Sequence, residues 1–203
     1  MIESFINYKI ATSPTVAPLS ALMKEYWLGG NGVFVRAKRQ GLCACIPIAL
    51  CTIPGLAAID PNVQMEYPRV SASIVSTMLS AAQAQGKKEV LFYISFINGS
   101  WQLNIPEQVA SPTSVKPLVA SLGSAYETAL IEVHSHHAMN AQFSSIDDLE
   151  ESGKFRIFAV MGEIFSRPTI NVRVGIYSHF WQIPAAWVFE MPIQLSDSFK
   201  LCN

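Results

Sequence analysis

From Ser71 to Gln85 the segment SASIVSTMLSAAQAQ sets Ile74, Val75, Met78, Leu79 and Ala82 three and four residues apart. That spacing is the apolar stripe of an amphipathic helix, and Gly86 stops it. Elsewhere the period is two. GVFVRAKRQG alternates apolar and basic side chains from Val33 to Arg39, so residues 33–39 and 42–50 predict a β-hairpin turning at Gln40-Gly41, with its second strand buried. EVLFYISFING and SWQLNIP read as two strands joined through Asn98-Gly99, a dipeptide suited to hairpin turns. ALIEVHSH, KFRIFAVMGEI, TINVRVGIYSHFWQIP and AAWVFE read as further strands, with Trp181, Trp187 and Phe189 alternating as strand core residues do.

Less regular stretches fill the gaps. PLSALMKEYWL predicts a short helix, SPTSVKP a polar link, LVASLGSAYET a weak helix or loop, and SSIDDLEESG a helix that stops at Gly153. The Pro/Gly-rich connection ending in AIDPNVQMEYPRV divides the chain into a β-hairpin-containing region, residues 1–62, and a second domain, residues 63–203. The order of elements indicates an α+β fold or a mixed sandwich, not alternating βαβ units.

Composition excludes several classes. With 203 residues, half of them hydrophobic, the chain can bury a sizeable core. Charged residues make up 14% and the formal net charge is −1, which suits neither a nucleic-acid backbone nor an anionic membrane as main partner. LCACIPIALCTIPGLAAI, Leu42 to Ile59, is uncharged over a membrane-spanning length, but Pro47, Pro54 and Gly55 argue against a spanning helix. Cys43, Cys45, Cys51 and Cys202 follow no zinc-ribbon spacing. MIESFINYKI is not a secretory signal, so reduced thiols in a cytoplasmic protein are expected.

Candidate chemistry is concentrated in EVHSHHAMNAQFSSIDD, Glu132 to Asp148. In a strand, His134 and His136 share a face with Ser135 turned away, so two imidazoles can hold one zinc ion. A catalytic zinc site needs a third protein ligand, and Asp147 in the first turn of the next helix can supply it. Ser144-x-x-Asp147 is equally a helix cap with an acid at its third position, and capping and ligation are compatible. A register using Ser145 and Asp148 is the alternative. His137 reads as an outer-sphere or exposed residue, and His179 as a packed or edge residue.

The spacing His-x-His-x7-Ser-x2-Asp resembles the signature of the JAB/MPN metalloproteases, the JAMM peptidases. HSHHAMNAQFSSIDDLEESGKF with IFAVMGEI is more narrowly similar to the JAB-type protein A of bacterial PRTRC cassettes, a similarity that extends into GVFVRAKRQGL and GLAAIDP. The resemblance implies a JAB/MPN-like, cytidine-deaminase-like mixed β-sheet flanked by helices. It implies His134, His136 and Asp147 as zinc ligands, and Ser144 as hydrogen-bond donor to the oxyanion. It also implies an upstream glutamate as general base for attack of zinc-bound water on a peptide or isopeptide carbonyl. Glu89 fits that base by position, Glu132 competes because it shares the face of His134, and Glu107 is a third candidate. The implied substrate is a ubiquitin-like protein, with a ThiF/E1-like partner. A JAB/MPN scaffold without catalysis is the alternative, and His137 departs from the family by standing where a proline is usual.

Overall fold

Alternation at Val33–Arg39 does form a strand in the computed structural model, which describes residues 4–15, 17–118 and 125–199. Two compact units are present. The first takes the described residues up to Glu66 together with Glu151–Phe155 and Val174–Trp181. The second takes Tyr67–Glu150, Arg156–Arg173 and the chain from Gln182. The division therefore does not follow one cut in the chain.

In the first unit five strands lie side by side in chain order: β1 (Ile6–Ile10), β2 (Lys24–Gly29), β3 (Gly32–Arg39), β4 (Leu42–Leu50) and β5 (Asn62–Met65). β1 is parallel to β2, and the other neighbours are antiparallel. Gly41 makes the expected turn at φ +81°, but burial of β4 is confined to its first half, since Ile48 and Leu50 are exposed. The expected helix in PLSALMKEYWL is overturned. Lys24–Gly29 is strand β2 because pairing on both sides rewards its two-residue period. One face carries Ala11, Trp27, Phe34, Cys45 and Ile59 as a core cluster. Beside it Glu25, fully buried, accepts hydrogen bonds from Ser20 N (2.8 Å), Ser20 Oγ (2.9 Å), Trp27 Nε1 (2.9 Å) and Arg36 (2.6 Å). Burial pushes this carboxyl up, but those donors outweigh it and bring it down to about 2.

From Tyr67 onward come α1 (Ala72–Ala84), β6 (Leu91–Ile97), β7 (Ser100–Asn104), the short pair β8 (Gln108–Ala110) and β9 (Val115–Pro117), and α2 (Ala125–Thr128). They are followed by β10 (Ile131–Ser135), α3 (Ser145–Glu151), β11 (Phe155–Gly162), β12 (Thr169–Ile176), β13 (His179–Ile183) and β14 (Ser196–Asp197). The larger sheet runs β13-β12-β11-β10-β6-β7, with β14 beside β12. Helix α1 buries Val75, Met78, Leu79 and Ala82 of its predicted stripe, each contributing about 1 to 3 kcal/mol on burial according to side-chain size. Asn98 (φ 51°) and Gly99 (φ 81°) make the β6–β7 turn as expected.

The fold is dominated by sheet, with three helices of 13, 4 and 7 residues among the described residues. The mixed sheet agrees with the expected α+β architecture, but sheet outweighs helix more than that expectation implied. SPTSVKP is half strand, because Val115–Pro117 pairs with Gln108–Ala110. AAWVFE is no strand either: Ala185–Trp187 is a 3-10 turn following Pro184, and it leaves Trp187 half exposed while Phe189 is fully buried. In the described part of LVASLGSAYET, Ala125–Thr128 is helix; residues 119–124 and Cys202 lie outside the described residues. Among those described, no helix is long and apolar enough to cross a membrane.

Strand β10 decides where chemistry can occur. It is antiparallel to β6 and parallel to β11, and every residue of β10 and β11 is buried, as central strands covered on both faces are. A parallel neighbour requires a crossover, and this one runs through residues 136–154 and contains α3. One βαβ unit is thus present, though not an alternating series of them, and the carboxyl end of its first strand meets the start of α3.

Candidate metal centre

Register places the histidines. His134 stands opposite Val160 of β11 and Leu91 of β6. Continuing one step, Ser135 N donates to Val90 O (3.1 Å) and Val90 N donates to Ser135 Oγ (3.0 Å). Glu89 lies two residues before Leu91, the partner of His134, and is close enough to feel the charges of His134 and Asp147. Its backbone is held from the other side, Glu89 N donating to Ser111 O at 3.0 Å.

Three buried side chains converge here. His134 Nε2 and His136 Nε2 face each other at 3.1 Å; Asp147 Oδ1 is 3.1 Å from the first and Oδ2 3.8 Å from the second. His136 Nδ1 donates to Asn140 O (3.2 Å), which fixes the tautomer with a free lone pair on Nε2. Burial, then the charge of His134, lowers the His136 pKa and favours the neutral, ligating ring.

Asp147 is delivered by a cap. Ser144 lies just before α3, its C=O accepting from Asp148 N (3.1 Å) and its Oγ from Asp147 N (3.2 Å). In return Ser144 N (2.6 Å) and Oγ (2.7 Å) donate to Asp147 Oδ2, a reciprocal box that orients the carboxylate. Burial raises the Asp147 pKa, but the hydrogen bond and charge of His134 and the two Ser144 donors hold it far below the carboxylate range.

Two zinc donors at about 2.0 to 2.1 Å from a tetrahedral ion stand about 3.3 Å apart. The 3.1–3.8 Å spacings among His134, His136 and Asp147 match that edge length. These donor atoms lie within 4.8 Å of one another, and they form the metal-capable group found among the described residues. Two imidazoles and one carboxylate are also donor types zinc favours.

The glutamates separate by environment. Burial pushes the Glu89 carboxyl up to about 7, His134 pulling it down, Asp147 and Glu150 adding to the rise. Glu132, though on the His134 face, receives Arg156 NH1 at 2.9 Å, and Arg156 also lies 4.4 Å over the Tyr126 ring and donates to Tyr126 O. Glu107 is exposed ahead of β8. His137 is buried, at φ 29°, with Nε2 lacking a partner among the described residues, which rules out the exposed reading. His179 is hydrogen-bonded to the Tyr26 hydroxyl at 2.8 Å within the first unit. In the alternative register Ser145 is exposed, and Asp148 pairs with Arg173 at 2.5 Å.

A family model of prokaryotic homologs of the JAB domain matches residues 67–181, more than half of the chain and all of the site. The chain belongs to this family. No curated protein matches it. Within this JAB domain, four supporting residues were not found by sequence reasoning. Ser135 ties β10 to Val90, Asn140 sets the His136 tautomer, Arg156 occupies Glu132, and Gly162 admits the loop. A Cβ at Gly162 would stand 2.3 Å from Ala141 N and 2.4 Å from Asn140 C. Ser135 and Asn140 lie within the stretch Glu132–Asp148 that carries the histidines, whereas Arg156 and Gly162 carry no signal of their own.

Proposed function

We propose that the protein is a zinc-dependent peptidase or isopeptidase that hydrolyses the bond at the C-terminus of a ubiquitin-like protein. The observation that carries this is the convergence of His134, His136 and Asp147 at tetrahedral-edge spacing. Those three residues would hold zinc, and the ion supplies a Lewis acid that polarises a carbonyl and acidifies water. Glu89, buried with its pKa raised to about 7, can take a proton on a carboxylate oxygen and return it to the leaving amine at neutral pH. Asn140 and Ser144 hold the ligands in orientation. The Ser144 hydroxyl is donated to Asp147, so assisting a substrate oxyanion requires its rotation.

The ubiquitin-like substrate and the ThiF/E1-like partner follow from the likeness to PRTRC-cassette proteins, and a cytoplasmic location from the cysteine pattern and the N-terminal sequence; all three stand as proposals. The test is incubation of the zinc-loaded chain with a ubiquitin-like protein carrying a C-terminal extension, with metal analysis alongside. About one zinc per chain, lost in His134→Ala and Asp147→Ala, and cleavage lost in Glu89→Gln support the reading. Bound zinc with no cleavage, and partner binding retained in Glu89→Gln, would instead identify a non-catalytic JAB scaffold. Absence of zinc from the wild-type chain would refute the metal centre.

A further inference from the structure

Helix α3 is short, and its third residue must be placed to within fractions of an ångström to meet two imidazoles. A helix start is commonly fixed by a hydrophobic staple, an apolar residue before the cap packing on the fourth helical residue. With Ser144 as cap, those positions here are Phe143 and Asp148, which cannot form an apolar contact.

Arg173 of β12 bridges them. Its side chain is 6% exposed; its guanidinium carbon lies 3.8 Å from the centroid of the Phe143 ring, and NH1 donates to Asp148 Oδ1 at 2.5 Å. Phe143 in turn meets the His134 ring edge-on, centroids 6.4 Å apart. One planar cation thus holds the residue before the cap by its face and the fourth helical residue by its edge, with Asp147 between them. Arginine alone combines both contacts, because lysine offers a point charge without a stacking plane.

We propose that Arg173 is a positioning residue for the metal centre, a charged staple that sets the start of α3 so that the Asp147 carboxylate reaches His134 and His136. This rests on the metal-centre reading above. Asp148, the alternative ligand, serves as the anchor of that staple and not as a ligand.

The test is Zn2+ affinity of the folded full chain by competition with a chromophoric chelator, with the visible spectrum of the Co2+-loaded protein as second readout. Arg173→Met is expected to weaken Zn2+ binding 10- to 100-fold, the range for residues that orient metal ligands, and to alter the Co2+ spectrum. Arg173→Lys should keep part of the affinity. Asp148→Asn, which removes the charge of the edge contact while leaving an acceptor, should give a smaller loss that does not add to that of Arg173→Met. If Arg173→Met fails to fold, Arg173→Lys and Asp148→Asn carry the test. Affinity and Co2+ spectrum unchanged in folded variants, with only the melting temperature lowered, would overturn the proposal. A wild-type chain that binds neither Zn2+ nor Co2+ would instead overturn the metal centre itself.

Discussion

Glu89→Gln separates stability from chemistry at one residue. The carboxyl is 4% exposed and its pKa is raised from 4.5 to about 7 by burial. Between those values the folded chain holds a proton that the unfolded chain releases, so stability falls as pH rises from 4.5 through 7 and is level above. The displacement corresponds to about 3 kcal/mol, destabilising at pH 8 and absent below pH 4.5. Glutamine keeps the shape and never ionises. In urea titrations of chelator-treated, metal-free protein, Glu89→Gln should therefore gain about 3 kcal/mol on the wild type between pH 4.5 and pH 8. The change with pH is diagnostic, because the cost of burying an amide is the same at both values. Opposed shifts such as that of His136 cancel in the comparison. With zinc restored, the variant should retain the metal and lose at least about 100-fold in hydrolysis. An identical pH dependence in both proteins would refute the buried, proton-holding carboxyl, and with it the base assigned here.

Four further outcomes test the rest. Glu25, depressed from 4.5 to about 2, contributes stability that is complete above pH 4.5 and lost as pH falls toward 2. Glu25→Gln should flatten that acid limb, amounting to about 3 kcal/mol in urea titrations between pH 5 and pH 2. Arg156→Met leaves Glu132 buried without its ion pair and should cost about 3 to 5 kcal/mol in denaturant, yet leave Zn2+ affinity within about twofold. Gly162→Ala drives a Cβ against the backbone of residues 139–141 and should weaken zinc binding at least tenfold, read by chelator competition. Ser144→Ala removes the cap and one donor to Asp147, and should lower stability by about 1 kcal/mol in thermal or urea melts.

Local pattern was legible where local forces decide. The hairpin of residues 33–50 and helix α1 announce themselves because side-chain period and turn glycines act within a few residues. Lys24–Gly29 misled because its helix-compatible composition is overridden by pairing with β1 and β3, which no local window contains. Ala185–Trp187 misled in the other direction, since aromatic and apolar residues also suit a tight turn after Pro184.

The same division holds at the site. His134 and His136 share a face because they are two apart in a strand, and Ser144 meets Asp147 because a cap reaches the third helical residue. Those relations are intrinsic to sequence spacing, so the sequence by itself determined the candidate ligand group, while the choice of Asp147 over Asp148 waited on Arg173 of the neighbouring strand. Choosing among the glutamates is different in kind. Glu89 and Glu132 both sit within strand reach of His134, and their environments diverge only after β6 and β11 flank β10. That register presents Glu89 buried beside the ligands and sets Arg156 against Glu132. Only the tertiary structure separates their environments, because burial and charge pairing are properties of neighbours brought together across the sheet.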